Sequence, residues 1–230
     1  MRENKILGRY VSDFESTPMP DRKGLGALNS NDHLILVKAN IDDVGFALKK
    51  IRNCGLHQQN VYGKDITLGN RACCYSIQLT GHVWSALQYI KVAPVPAIFN
   101  REDAQAISRV LSSEAVFFEF SDTGTYLKYF YYRLGALLES LDYVELPNKA
   151  YYEFYSDYRS LGFDVTLDDA FLVVNDFFYN KGIYPIEITW KGIGPFVAGD
   201  NVLFEFTRLD IKDVVQADYF EIGSIGVSGS

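Results

Sequence analysis

The sequence predicts an α+β fold: a mainly antiparallel sheet with amphipathic helices packed on one face. It further suggests two βαββ(β)-type modules followed by a C-terminal helical and strand extension. Three observations carry this. The 230 residues are 48% hydrophobic and 22% charged, a balance that buries a core. Short β-branched and aromatic runs recur, such as the alternating residues 73–79. Two other segments open on asparagine and then place apolar residues at helical spacing.

Taken in order, residues 1–32 hold Pro18, Pro20, Gly24 and Gly26 without apolar periodicity and read as an extended arm. Residues 33–37 read as a strand. Asn40 then offers an N-cap, with Asp43 three residues on and Ile41, Val44, Leu48 and Ile51 on one face. Strands are expected at 56–62, 65–68 and 73–79, while 83–92 fits a strand or a short helix closed by Pro94 and Pro96. Asn100 with Asp103 repeats the cap before Ala104, Ile107 and Leu111, and strands follow at 115–120, 125–133 and 136–145.

The last third changes character. Asn148 is expected to cap a helix with the stripe Tyr151, Phe154, Tyr155, Tyr158 and Leu161, closed by Gly162. Thr166 with Asp169 opens a second helix, with Ala170, Val173, Val174, Phe177 and Phe178 inward and Gly182 as its stop. Residues 183–190 read as an edge strand because of Pro185, and 202–209 as another strand. The organisation expected is therefore an arm (1–32), a sheet module (33–146) with a weak repeat between 33–80 and 82–145, a helix-helix-strand-strand extension packed on it (147–222), and a flexible tail (223–230).

Charge is uneven. Residues 139–230 carry 16 acids against 6 bases, a net of −10, and residues 1–138 a net of +3. An acidic third repels phosphate backbones, so nucleic acid is not the expected partner, and a basic protein is. No apolar run reaches about 18 residues and Met1 precedes charged residues, so neither a membrane span nor a secretory signal is read, and the expected address is the cytoplasm. Cys54, Cys73 and Cys74 lack zinc-site spacing, and the adjacent pair cannot bridge without strain; reduced, buried thiols are expected.

Chemistry has few candidates. No Gly-x-Ser-x-Gly occurs, and Gly192, Ile193 and Gly194 are followed by Pro195 and no helix pattern, which removes a phosphate loop. His33 and His82 stand near the starts of the two strand–helix modules, and Glu139 in the last strand of the second. This element order is similar to the glyoxalase and extradiol dioxygenase superfamily. The resemblance covers residues 33–145 at most and implies a two-histidine, one-carboxylate metal site at His33, His82 and Glu139. The first module lacks the matching carboxylate.

Aromatic residues are the one compositional excess, at 15% with 16 Tyr and 16 Phe. Rings on several faces of the Tyr151, Tyr152, Tyr155 and Tyr158 segment cannot all enter one core. Read as a helix, the segment leaves Tyr152 off the stripe, and tyrosine suits recognition surfaces. The first functional reading is thus a non-enzymatic cytoplasmic protein that binds a basic protein partner through an acidic, Tyr-rich C-terminal third. Tyr151, Tyr152, Tyr155 and Tyr158 are its anchors, and Glu153 and Asp157 lie in its acidic rim. The alternative is a metal-dependent small-molecule enzyme on paired βαβββ modules. The sequence specifies no cofactor.

Overall fold

The computed structural model describes residues 17–25, 31–90, 92–93, 99–121, 125–146, 149–160, 166–185, 196–207 and 209–222. They form a sheet-dominated α+β structure. The strands are β1 (Asn31–Val37), β2 (Cys54–Gln58), β3 (Asp65–Thr67), β4 (Ala72–Leu79), β5 (Ser85–Ile90), β6 (Val92–Ala93), β7 (Glu114–Ser121), β8 (Tyr126–Arg133), β9 (Ala136–Leu146), β10 (Lys149–Ser156), β11 (Phe196–Val197), β12 (Asn201–Leu203) and β13 (Val214–Ile222). The helices are α1 (Ile41–Ile51), α2 (Arg101–Val110) and α3 (Leu167–Lys181).

Nine strands make one sheet in the order β10-β9-β8-β7-β1-β5-β4-β13-β2, every neighbouring pair antiparallel. Both faces of its centre are covered. Leu34 and Leu36 of β1 enter one core and Ile35 and Val37 the other, which is why the strand reads as an unbroken apolar run. Val44, Ala47 and Leu48 of α1 and Ala104 and Ile107 of α2 pack on one side. Ala170, Val174, Phe177 and Phe178 of α3 pack on the other, together with Phe204 and Phe206. The expectation that the helices share one face is therefore corrected: α3 arrives after a four-strand meander, β7 to β10, and covers the side that α1 and α2 leave open.

The caps form as their residues dictate. Asn40 accepts from the Asp43 amide, Asn100 and Asp103 make a reciprocal capping box, and so do Thr166 and Asp169. Gly182 ends α3 with φ +66°, a left-handed turn that favours glycine. Of the segment expected at 83–92 as strand or short helix, Ser85–Ile90 form strand β5, and Cys73 and Cys74 do face opposite sides, each into a core.

Three expectations for the outer segments change. The helix expected after residue 148 is β10: Tyr152 and Phe154 pack on the core while Tyr151, Glu153 and Tyr155 are exposed, a period of two. Residues 147–222 are no appendage, since β10 and β13 are strands of the main sheet and β13 lies between β4 and β2. Nor do two separate βαβββ leaves form, because β1 of the first expected module pairs with β5 and β7, both strands of the second. Residues 17–25 are seated, with Met19 and Leu25 buried and the Leu25 amide donating to Asn175 of α3 at 2.9 Å. Residues 1–16 and the tail 223–230 lie outside the described residues, as does most of the strand expected at 183–190.

Candidate functional site

The expected metal ligands do not assemble. His33 lies on β1, where its Nδ1 is 3.3 Å from Glu119. His82 is buried in the turn after β4, its Nε2 2.8 Å from the Met19 carbonyl oxygen; burial holds its ring below the usual histidine range despite that bond. Glu139 lies on β9 and pairs with Arg159. Among the described residues no group of three or more His, Cys, Asp or Glu side chains could hold a metal ion. The paired-module topology that would have gathered the three is absent, and each has a different partner.

Following Glu139 leads to a cleft of about 190 Å³ where the C-terminal turn of α3 leaves the sheet. Its wall is formed by Tyr131, Glu139 and Phe177, and its mouth by Tyr158, Arg159, Asn180 and Lys181. Two buried carboxylates lie beside it on β7 and β9. Glu139 is 4% exposed: Oε1 accepts from Arg159 Nη2 at 2.7 Å and the Tyr129 hydroxyl at 2.5 Å, and Oε2 from Ser156 at 2.7 Å and Arg159 Nε at 3.2 Å. Glu114 accepts from the Tyr131 hydroxyl at 2.5 Å, from Lys38 at 3.0 Å and from Lys181 at 3.2 Å, with Arg133 at 3.4 Å.

Register builds this arrangement. Pairing of β7 with β8 sets Glu114 opposite Arg133, and the β8 hydroxyls of Tyr129 and Tyr131 lie between the two acids. Burial pushes the Glu114 carboxyl up, but Tyr131, Lys38 and Lys181 outweigh it and hold it at about 2. Glu139 is likewise lowered, its burial overcome by Arg159, Tyr129 and Ser156. Burial, and next the hydrogen bonds to these carboxylates, raise Tyr129 and Tyr131 well above the ordinary phenol. Both tyrosines are therefore fixed proton donors to the acids at neutral pH.

A second surface gathers part of the expected binding set. On β10, Tyr151, Glu153 and Tyr155 share the face away from α3, opposite Val144, Asp142 and Ser140 of β9. Glu153 thus sits directly across from Asp142, a like-charge pairing that costs stability, while Asp142 is held from its other side by Lys128 at 3.0 Å. Tyr158 and Asp157 lie in the turn beyond, and Asp157 accepts from the Tyr155 hydroxyl at 2.7 Å. Tyr152, expected to miss the core, packs against it instead, because a strand turns it to the α3 side.

Of the three thiols Cys54 is half-buried, and burial raises it above the usual thiol range. Burial pushes Cys74 and Cys73 up, and both are enclosed. Compared with models of protein families, with curated proteins and with solved structures, the chain matches none of them.

Sequence reading missed Glu114, Tyr129, Tyr131, Arg159 and Lys181, which meet only through strand register and the seat of α3. A signal was present. Glu139 stands in phase with the buried Leu141 and Tyr143 of its strand, where an acid has to find buried partners.

Proposed function

We propose that the protein is a non-enzymatic binding protein whose partner is a basic protein segment seated on the open face of β10 and β9. The observation that carries this is Glu153: it faces Asp142 without an ion-pair or hydrogen-bond partner among the described residues and is flanked by exposed Tyr151 and Tyr155. A like-charge pair on a solvated strand is a cost that a cationic partner relieves, and rigid aromatic rings beside it supply contact area at low entropic cost. The outer edge of β10 has no strand partner among the described residues, so an extended segment could also add to the sheet there.

The acids chiefly raise the association rate and are screened by salt, whereas the rings govern dissociation. Capture from the native cell extract at low and high salt tests the reading with wild type, Tyr151→Ala/Tyr155→Ala and Glu153→Lys. The expected result is a basic protein retained by wild type, lost with the double alanine variant and reduced at low salt by Glu153→Lys. Identical retention by all three, or none above background, overturns it.

A further inference from the structure

The geometry points to the α3 cleft as a binding site for a small organic carboxylate with an aromatic or branched apolar body. This site lies on the opposite side of the sheet from Tyr151, Glu153 and Tyr155 and shares only Tyr158 with the tyrosine set, and it does not depend on that set's partner.

The inference starts from hydrogen-bond donors. Arg159 uses Nε and Nη2 on Glu139, Tyr129 and the Val173 carbonyl, leaving Nη1 and its two N–H groups without a partner among the described residues. Lys181 gives two of its three N–H bonds to Glu114 and Tyr131. The Asn180 amide and the Tyr158 hydroxyl at the mouth are likewise unengaged among the described residues. The donor excess therefore rests on Arg159 and Lys181, with Asn180 and Tyr158 able to donate or accept at the mouth, and it suits a ligand with acceptor oxygens.

Charge narrows the class. Among the described residues lining the cleft the one acid is Glu139, whose oxygens are occupied by four donors and whose charge is matched by Arg159 at 2.7 Å. Glu114 behind Tyr131 is surrounded by Lys38, Arg133 and Lys181. Of the charged residues that line the cleft among the described residues, Arg159 and Lys181 stand against Glu139 and leave one positive charge, in a chain whose net charge is −7. Lys38 and Arg133 are about half exposed and bathed in solvent, so the field inside the cleft suits one negative charge better than two. The charged N–H donors left on Arg159 Nη1 and Lys181 favour an ionised carboxylate over a neutral acceptor.

Shape supplies the rest. About 190 Å³ is the liquid volume of roughly six waters, room for a ring or a short branched chain. The wall behind the donors is the ring of Phe177, stacked at 4.9 Å on Tyr129 and edge-on at 5.2 Å to Tyr131.

Benzoate is a suitable probe, with benzyl alcohol and inorganic phosphate as comparison ligands and titration followed by protein-observed NMR on the full chain. The expected result is saturable one-to-one binding of benzoate, with benzyl alcohol and phosphate each weaker by about tenfold or more. Asn180→Asp places an acid at the exposed mouth without disturbing the core and is expected to weaken benzoate by about tenfold, whereas Glu153→Lys on the tyrosine face leaves it unchanged. Arg159→Gln joined with Glu139→Gln removes the cation and its free Nη1 donors without stranding a buried acid and is expected to abolish the preference for benzoate over benzyl alcohol. No saturable benzoate binding, phosphate binding as tightly as benzoate, or indifference to Asn180→Asp overturns the assignment. Failure of partner capture on the tyrosine face has no bearing on it.

Discussion

Replacing Glu114 with glutamine tests whether the buried network under α3 holds the fold together through charge. The carboxyl side chain is 9% exposed and is lowered from 4.5 to about 2. Each pKa unit corresponds to about 1.4 kcal/mol, so the network is worth about 3 kcal/mol to the ionised form, and somewhat less in salt because Lys38 and Arg133 are solvated. The sign follows from linkage. A carboxyl depressed in the folded state stabilises fully above its unfolded value near 4.5, and that stability is lost as pH falls toward 2. Urea midpoints measured from pH 6 to pH 2.5 should therefore fall steeply in wild type. Glu114→Gln should start lower at pH 6, since three cations then face a neutral amide, and should lose about 2 to 3 kcal/mol less over the same interval. Glu139 is depressed in both chains and cancels in the difference. Parallel pH profiles for the two proteins would refute the account.

Two further outcomes follow from buried polar groups on the α1 and α2 side. Arg52 and Asp103 form an ion pair between the end of α1 and α2 with each side chain 8% exposed; Arg52→Ala should cost about 3–5 kcal/mol by urea unfolding, while Arg52→Met joined with Asp103→Leu should recover part of it, the shortfall being the Asn100 amide that loses its Asp103 acceptor. Ser76 on β4 has a fully buried hydroxyl without a partner among the described residues, so Ser76→Ala should raise the thermal midpoint or leave it unchanged, consistent with relief of up to about 1–3 kcal/mol of desolvation.

Local chemistry was legible and long-range assembly was not. Asn40, Asn100 and Thr166 announced their helices because a cap and its acid are three residues apart and need no tertiary partner. The strand residues of β4, β7, β8 and β9 followed from alternation. The segment at Tyr151 misled because rings at nearly every position satisfy a period of 3.6 and a period of 2 alike, and pairing with β9 decided between them. Glu139 was noticed, but for a metal site, since nothing local to it reveals that Arg159 returns across the end of β9 to neutralise it. Strand β13, central to one half of the sheet, went unassigned: its residues 214–222 mix Gln216, Asp218 and Glu221 with Ala217, Tyr219 and Phe220, and only cover on both faces explains the pattern.

That strand also sets a timetable for folding. β4 is made early, yet the edge it offers to β13 stays open until some 140 further residues have left the ribosome. Through that interval the nascent chain displays a backbone edge bearing Cys73, Tyr75 and Ile77, and β2, which joins the sheet through β13 alone among the described strands, has nowhere to dock. Truncation before residue 214 would therefore remove more than a terminus: it would strip β2 of its place in the sheet and leave β4 as an adhesive edge, open to any other unpaired strand nearby.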